Sequence, residues 1–259
     1  MHTYNNIKVE NNFGRDESLF GNHSSKKQEY HNHNYHKDSY VFDRPTQEAY
    51  NEAQNIKQVM SSKVKLSNGQ EQPLFSQKNN RTISVITHQD GTVSVGISGN
   101  NPQQIAKLQR VLDNLPDKQG KLPNGQRKYK VGTETLTEKQ GVMQGVGRDG
   151  KLSNKPGQCA EPHCATSSGR NSSPITGSIT IWRGEPEDLK HVYAGNPKTK
   201  FGDDQMDPCP TCALPYNQQI YHEEAIKSQN KITNGGDTTN STTNQIGRAS
   251  CRERVLRLV

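Results

Sequence analysis

The sequence predicts one α/β domain in the middle of the chain, between polar extensions. The central part alternates between segments with the pattern of β-strands and segments with the apolar spacing of helices. Only 28% of the 259 residues are hydrophobic, so much of the chain cannot bury enough apolar surface to offset the entropy lost on ordering. We therefore place the domain at residues 81–228, after a largely disordered region 1–80 and before a polar tail 229–245.

The clearest β-structure is a hairpin. Thr82 to Thr87 and Thr92 to Ser98 are rich in β-branched residues, and Asp90-Gly91 between them is a typical turn dipeptide. A later apolar run, Ser178 to Trp182, predicts a buried strand.

Three segments have helical patterns, at 46–61, 102–115 and 215–227. Their apolar residues recur at three- and four-residue spacing, and Pro102 and Pro215 are acceptable in a first helical turn.

The remaining central segments have weaker patterns. Residues 62–80 are typical of a linker, and 129–136 and 141–147 show faint strand patterns in a region rich in Gly and Lys. Residues 185–190 are polar enough for a surface connection, followed at 191–193 by a short strand or loop.

The C-terminal residues 246–259 are interpreted as an artefact. Ile246 to Val255 reads I-G-R-A-S-C-R-E-R-V, which is the translation of a common sequencing-library adapter. The segment carries four arginines and one glutamate, a net +3, which leaves +4 of the formal charge of +7. That charge is a weak argument for a nucleic-acid partner.

The lengths of the apolar runs in the sequence indicate whether the protein crosses a membrane or carries a signal peptide. No run approaches the roughly 20 apolar residues of a membrane span. Met1 to Phe13 also has no apolar segment of the kind found in signal peptides. We expect a soluble protein without membrane contact that is cytoplasmic, or that is exported by a route that reads no such signal.

Outside the adapter segment, four cysteines form two closely spaced pairs. Cys159 and Cys164 lie in Q-C-A-E-P-H-C, and Cys209 and Cys212 lie in D-P-C-P-T-C. Two disulfides are one interpretation, but this clustering is more typical of a metal site in a reducing compartment. Sulfurs of Cys159, Cys209 and Cys212 could hold one zinc ion and leave a fourth position for water, as catalytic zinc sites do.

Glu161 stands two residues after Cys159 and is the candidate general acid/base. Pro162 and Pro210 both fit the first turn of a helix. The neighbouring cysteines would then lie at helix N-termini, where backbone N–H groups and the helix dipole favour thiolates.

A closed structural zinc site is the rival interpretation. There Cys164 would complete a four-sulfur shell and exclude water, and His163, four residues after Cys159, is a further candidate ligand. The rival leaves Glu161 without a role, and its first pair has four intervening residues where structural zinc knuckles usually have two.

These motifs resemble those of the cytidine deaminase superfamily, and most closely the bacterial-toxin deaminases of the YwqJ-like group. The resemblance covers residues 81–227 and rests on C-A-E-P at 159–162, P-C-P-T-C at 208–212, and the hairpin ending V-S-V-G-I-S-G-N. Zinc deaminases carry an H-x-E…P-C-x-x-C signature, in which Cys159 here takes the place of the His.

The resemblance implies a three-layer α/β/α fold, with zinc held by Cys159, Cys209 and Cys212 and catalysis by Glu161. It further implies hydrolytic deamination of a cytosine-type base, in nucleic acid, by a toxin or effector that an immunity-type protein inhibits. The chain departs from the family in the long stretch before Cys159 and in the lack of a convincing strand after Lys227.

Substrate contacts are predicted only from their position near these motifs, which singles out Asn154 and Trp182. A nucleic-acid-binding loop is also a candidate, because cations that flank an aromatic ring can pair with phosphates while the ring stacks on a base. Its residues are Arg127, Lys128, Tyr129 and Lys130. A solvated loop is the plainer interpretation of that run.

Two other functions remain open from the sequence. A non-catalytic zinc module would bind protein or nucleic acid through a four-cysteine site, and a free-nucleoside deaminase would act on small substrates. The long polar ends argue against the second.

Overall fold

The computed structural model describes residues 40–65, 70–76, 78–147, 150–184 and 201–234. The N-terminal residues 1–39, the predicted connection and strand at 185–193, most of the polar tail and the adapter-like segment lie outside these residues.

The described residues form a mixed α/β structure around a four-stranded sheet. The strands are β1 (Lys63–Lys65), β2 (Glu71–Pro73), β3 (Thr82–His88), β4 (Val93–Ile97), β5 (Tyr129–Val131) and β6 (Ile175–Trp182). The helices are α1 (Gln47–Ser61), α2 (Pro102–Asp113), α3 (Asp117–Gly120), α4 (Ala160–Ser168), α5 (Pro215–Ala225) and α6 (Lys227–Asn234). None of these helices has the length and apolar character needed to cross a membrane.

The sheet has the order β5-β4-β3-β6, and β1 with β2 forms a separate two-stranded ribbon. β3 is antiparallel to β4 and to β6, whereas β4 runs parallel to β5. The predicted hairpin is confirmed, with Val85 paired to Val95. Its turn contains Gly91 at φ 82°, a backbone conformation that favours glycine.

The two faces of the sheet bury different sets of side chains. One face carries α1 and α2 on an aliphatic core that includes Ile83, Val85 and Val95. The other face carries α4, with α5 packed against α4, and includes Ile86. Because side chains alternate along a strand, adjacent residues such as Val85 and Ile86 supply the two different cores.

Helix α4 packs directly on the backbone of β4. All nine of its residues are buried, although most of them are polar or small. Gly96 permits this close approach, because a Cβ at that position would collide with the Ala160 carbonyl oxygen and the Cys164 amide nitrogen. The contact places the first turn of α4 against the middle of the sheet.

Two of the weaker sequence predictions were wrong in detail. Residues 62–80 are not only a linker, because they contain β1, β2 and the buried Phe75. The strand at 129–136 ends at Val131, and 141–147 contains no strand but only one isolated bridge, between Val146 and Leu152. The glycines of that region leave few side chains to pack on a sheet.

The α4 contact can be tested with Gly96→Ala. We expect the added methyl group to lower the free energy of unfolding by about 3 kcal/mol, as overpacking does. Gly125→Ala is the control, since its Cβ meets no atom within 4 Å and only its φ of +81° costs stability, about 1 kcal/mol. Urea unfolding of both variants checks this, and equal losses would contradict the packing.

Candidate metal centre

Three buried cysteines converge on the side of the sheet that α4 covers. The sulfurs of Cys159, Cys209 and Cys212 all lie within 4.8 Å of one another. The Cys159 and Cys209 sulfurs are 3.4 Å apart. Thiolates at about 2.3 Å from a tetrahedral zinc ion are separated by about 3.8 Å, so the cluster fits such an ion.

The chain brings these sulfurs together from two separate segments. Cys159 is the N-cap residue of α4, and its side chain makes no capping hydrogen bond to the helix. The other two lie in a turn in which the Ala213 amide donates to the Cys209 carbonyl at 2.7 Å. That helix-like turn puts Cys209 and Cys212 on one side. The helix predicted to start near Pro210 is therefore a single turn, followed by α5.

Hydrogen bonds from the region before α4 hold the second cysteine segment in place. The Thr211 hydroxyl donates to the Asn154 carbonyl at 2.6 Å and accepts from the Gly145 amide at 3.0 Å. Asn217 on α5 donates to the carbonyls of Met143 and Thr211 at 2.7 and 2.6 Å. The Gly-rich region therefore fixes the position of the cysteine turn through these hydrogen bonds.

Glu161 lies beside the sulfurs in the first turn of α4. It is 2% exposed and lines the same cavity as Cys159 and Cys209. Burial, with a further contribution from the negative charge at Cys209, raises the pKa of Glu161 to about 7. A carboxyl group with such a pKa can both accept and donate a proton near neutral pH.

The pKa values of the three thiols are shifted in different directions. The pKa of Cys209 is lowered, because the thiols of Cys159 and Cys212 both hydrogen-bond to its sulfur and the Asn154 side chain adds another bond. The pKa of Cys159 is raised chiefly by its hydrogen bond to Cys209, and that of Cys212 chiefly by burial. A bound metal would be held by thiolates and would release the protons that the thiols carry.

A small cavity opens beside the cluster. Its volume is about 40 Å³, and its wall includes Thr82, Ser98, Asn154, Trp182 and Met206. A water molecule fits this space, but drug-sized ligands occupy cavities of about 300 to 1,000 Å³. Trp182 and Met206 are buried and pack against each other, so a base could enter only if these side chains moved.

The structure brings Asn154 and Trp182 to the sulfurs as cavity-wall residues, whereas Cys164 and His163 point elsewhere. The Cys164 thiol donates to the Ser94 carbonyl on β4 at 3.3 Å, and burial raises its pKa. His163 Nδ1 donates to the Glu134 carbonyl at 3.0 Å. Neither belongs to the cysteine cluster, although both come from α4.

The segment from Arg127 to Lys130 leads into β5, at the edge of the sheet. The Tyr129 ring is 3% exposed in the aliphatic core, and its hydroxyl donates to Glu52 at 2.7 Å. Glu52 also pairs with Lys128 at 2.6 Å, and Arg127 pairs with Asp113 at 2.8 Å. Lys130 is exposed. Tyr129 therefore presents no ring face for stacking, and none of the four reaches the cysteines.

Sequence reasoning did not single out Tyr221, which contacts the cluster from α5. Its buried hydroxyl lies 4.0 Å from the Cys212 sulfur, and burial raises its pKa. The apolar spacing of the helix predicts only that such a residue is buried, and a nine-residue separation from Cys212 is no recognised motif.

No protein-family model matches the chain, and no curated protein or solved structure matches it.

Metal analysis of the purified protein tests the cluster. We expect one zinc ion per chain, and loss of that zinc in Cys159→Ser and Cys209→Ser, because two remaining thiols make an incomplete site. Cys164→Ala is the control that should keep its zinc, since that sulfur points to Ser94. Plasma mass spectrometry of the metal against protein concentration gives the ratio. Loss of zinc from Cys164→Ala would instead indicate a four-sulfur shell.

Proposed function

We propose that the protein is a zinc-dependent hydrolytic deaminase of a nucleobase, with a three-layer α/β/α fold of the cytidine deaminase type. The observation that carries the proposal is the position of Glu161, buried against three converged cysteine sulfurs at one cavity. A structural zinc site has no need of a carboxyl group beside it. A hydrolytic site needs one that can carry a proton from water to the leaving group.

The chain's own residues can supply the remaining parts of that reaction. A zinc ion held by Cys159, Cys209 and Cys212 would supply Lewis-acid activation of water. Glu161 would accept one proton from that water and pass it to the ring nitrogen, and would then carry the second proton, from the newly attached hydroxyl group, to the departing amine. The carbon–nitrogen bond breaks, a carbon–oxygen bond forms, and ammonia leaves. Asn154 and Trp182 would contact the base, because both line the cavity.

The substrate we propose is a cytosine-type base within nucleic acid. The support is the resemblance of the paired motifs to toxin-type deaminases, which also suggests an effector role and inhibition by an immunity-type protein.

The small cavity favours one other function, a non-catalytic zinc module. At about 40 Å³ the cavity holds water but no base until Trp182 and Met206 move. Such a module would retain its function in the absence of Glu161, which separates the two candidates.

Glu161→Gln tests the deaminase. The variant should keep its zinc and its fold, because Gln has the same shape, and should lose about 10²- to 10⁴-fold in turnover, because it cannot carry the proton. The measurement is ammonia release, with sequencing of the products, from cytidine, single-stranded DNA, double-stranded DNA and RNA.

The control is Glu138→Gln, an exposed glutamate in the Glu138–Gln140 3-10 turn. It removes the same charge and should leave turnover unchanged. Unchanged turnover in Glu161→Gln would contradict the catalytic role of Glu161. If the zinc-loaded protein released no ammonia from any of these substrates, the non-catalytic zinc module would be favoured. Release from cytidine alone would instead indicate a free-nucleoside deaminase.

A further inference from the structure

A second and much larger cavity lies next to the metal centre. Its volume is about 800 Å³, within the range of ligand-binding sites. The wall comes from the segment before β3 and from α2, and includes Ser76, Lys78, Asn80, Arg81, Gln104 and Lys107. Three of these side chains are cationic, and no carboxylate is among the described residues of the wall.

The ammonium group of Lys107 contacts a main-chain carbonyl and an aromatic ring rather than a carboxylate. It donates to the Leu74 carbonyl at 2.5 Å and lies 4.9 Å from the centre of the Phe75 ring. Lys78 is exposed. Within the described part of the chain neither lysine forms an ion pair. This differs from Arg127 and Lys128, whose charges are already matched by Asp113 and Glu52.

A further cation, outside the wall, lies beneath the cavity. Arg183 is 1% exposed, and its guanidinium donates to three main-chain carbonyls. These belong to Asn80 at 3.0 Å, Phe75 at 3.3 Å and Ser76 at 2.6 Å. Arginine stays charged in proteins, and carbonyl dipoles satisfy its hydrogen bonds without cancelling its net charge. Since Ser76 and Asn80 also line the cavity, the buried charge adds to the positive potential there.

The large cavity and the metal cavity are lined by adjacent residues of the chain. Asn80 and Arg81 line the first, and the next residue, Thr82, lines the second. The Arg81 guanidinium lies 5.9 Å from the Trp182 ring centre, and Trp182 lines the metal cavity. The Asn80 side chain also donates to the carbonyl of Ser98, another residue of the metal cavity, at 2.8 Å.

We propose that this cavity binds the phosphodiester backbone of a single-stranded nucleic acid. Lysines without an ion pair among the described residues, together with a buried arginine, favour an anion, and the volume suits more than one phosphate group. The choice of nucleic acid among anions rests on the proposed function. A strand whose base enters the metal cavity has its phosphates covalently attached nearby, and phosphate contacts position such a strand without reading its sequence.

Fluorescence anisotropy with a labelled single-stranded DNA oligonucleotide, repeated with RNA, tests this proposal in the full chain. For single strands, each lost phosphate contact reduces the magnitude of the negative slope of log K against log salt by about 0.7. The double variant Lys78→Gln with Lys107→Gln should therefore have a slope about 1.4 smaller in magnitude than that of the unmodified protein. If the two proteins bind equally at 1 M salt, the variant should bind about 25-fold more weakly at 0.1 M salt.

Matched controls separate this site from charge in general. Lys118→Gln with Lys139→Gln removes the same charge from exposed positions outside the wall and should bind as the unmodified protein does. Lys78→Gln alone, which breaks no side-chain hydrogen bond of the described residues, should weaken binding about 5-fold. Circular dichroism checks that each variant is folded. Inorganic phosphate and a nucleoside monophosphate serve as competitors.

The proposal is overturned if the unmodified protein binds neither oligonucleotide, or if the two double variants bind equally. It is also overturned if free phosphate competes as well as an unlabelled strand, since the site would then be one for small anions. Binding needs no turnover, so Glu161→Gln should bind normally. Salt-dependent binding without deamination would contradict the proposed function alone, and deamination without an effect of the lysine variants would contradict this inference alone.

Discussion

The close contact between α4 and the backbone of β4 is the constraint on which the rest of the centre depends. A helix with side chains as small and polar as those of α4 has little apolar surface with which to hold its place. It is held instead by close backbone packing, because Gly96 lets the backbone of Ala160 and Cys164 lie directly on the sheet. Both Cys159 and Glu161 come from the end of α4 that this contact positions.

The second half of the centre is held by polar contacts rather than by apolar packing. The cysteine turn lies between the Gly-rich region and α5. The buried Thr211 hydroxyl bonds to backbone groups of the Gly-rich region, and Asn217 on α5 donates to the Thr211 carbonyl. Gln218 adds a bond to the Cys212 carbonyl at 2.6 Å. Hydrogen bonds between buried polar groups favour one geometry, which a metal centre requires. A sequence with few apolar residues can in this way still build a defined site.

The parts of the structure that were predictable from sequence are those that depend on local patterns. The hairpin was predictable because β-branched runs flank Asp90-Gly91, and α1 was predictable because its apolar residues follow helical spacing. The cysteine cluster was predictable because few chemical uses explain the short spacing between Cys209 and Cys212.

The parts that were missed depend on contacts between distant segments. Residues 141–147 show only a faint strand pattern, and Met143, Gly145 and Asn154 instead hydrogen-bond with Thr211 and Asn217, more than fifty residues later. Arg127 to Lys130 suggested a binding loop because a sequence does not show that Glu52 and Asp113 neutralise two of its charges. Lys78, Lys107 and Arg183 are far apart in the chain, so no motif unites them.

The end of β6 contributes one residue next to each of the two cavities. Trp182 lies in the wall of the metal cavity, and the next residue, Arg183, is anchored to the carbonyls beneath the larger one. A displacement of the backbone at Trp182 would be transmitted to the arginine anchor, since a single peptide unit connects the two residues. Any coupling between the two cavities through this peptide unit would have to be equal in both directions, as thermodynamic linkage requires.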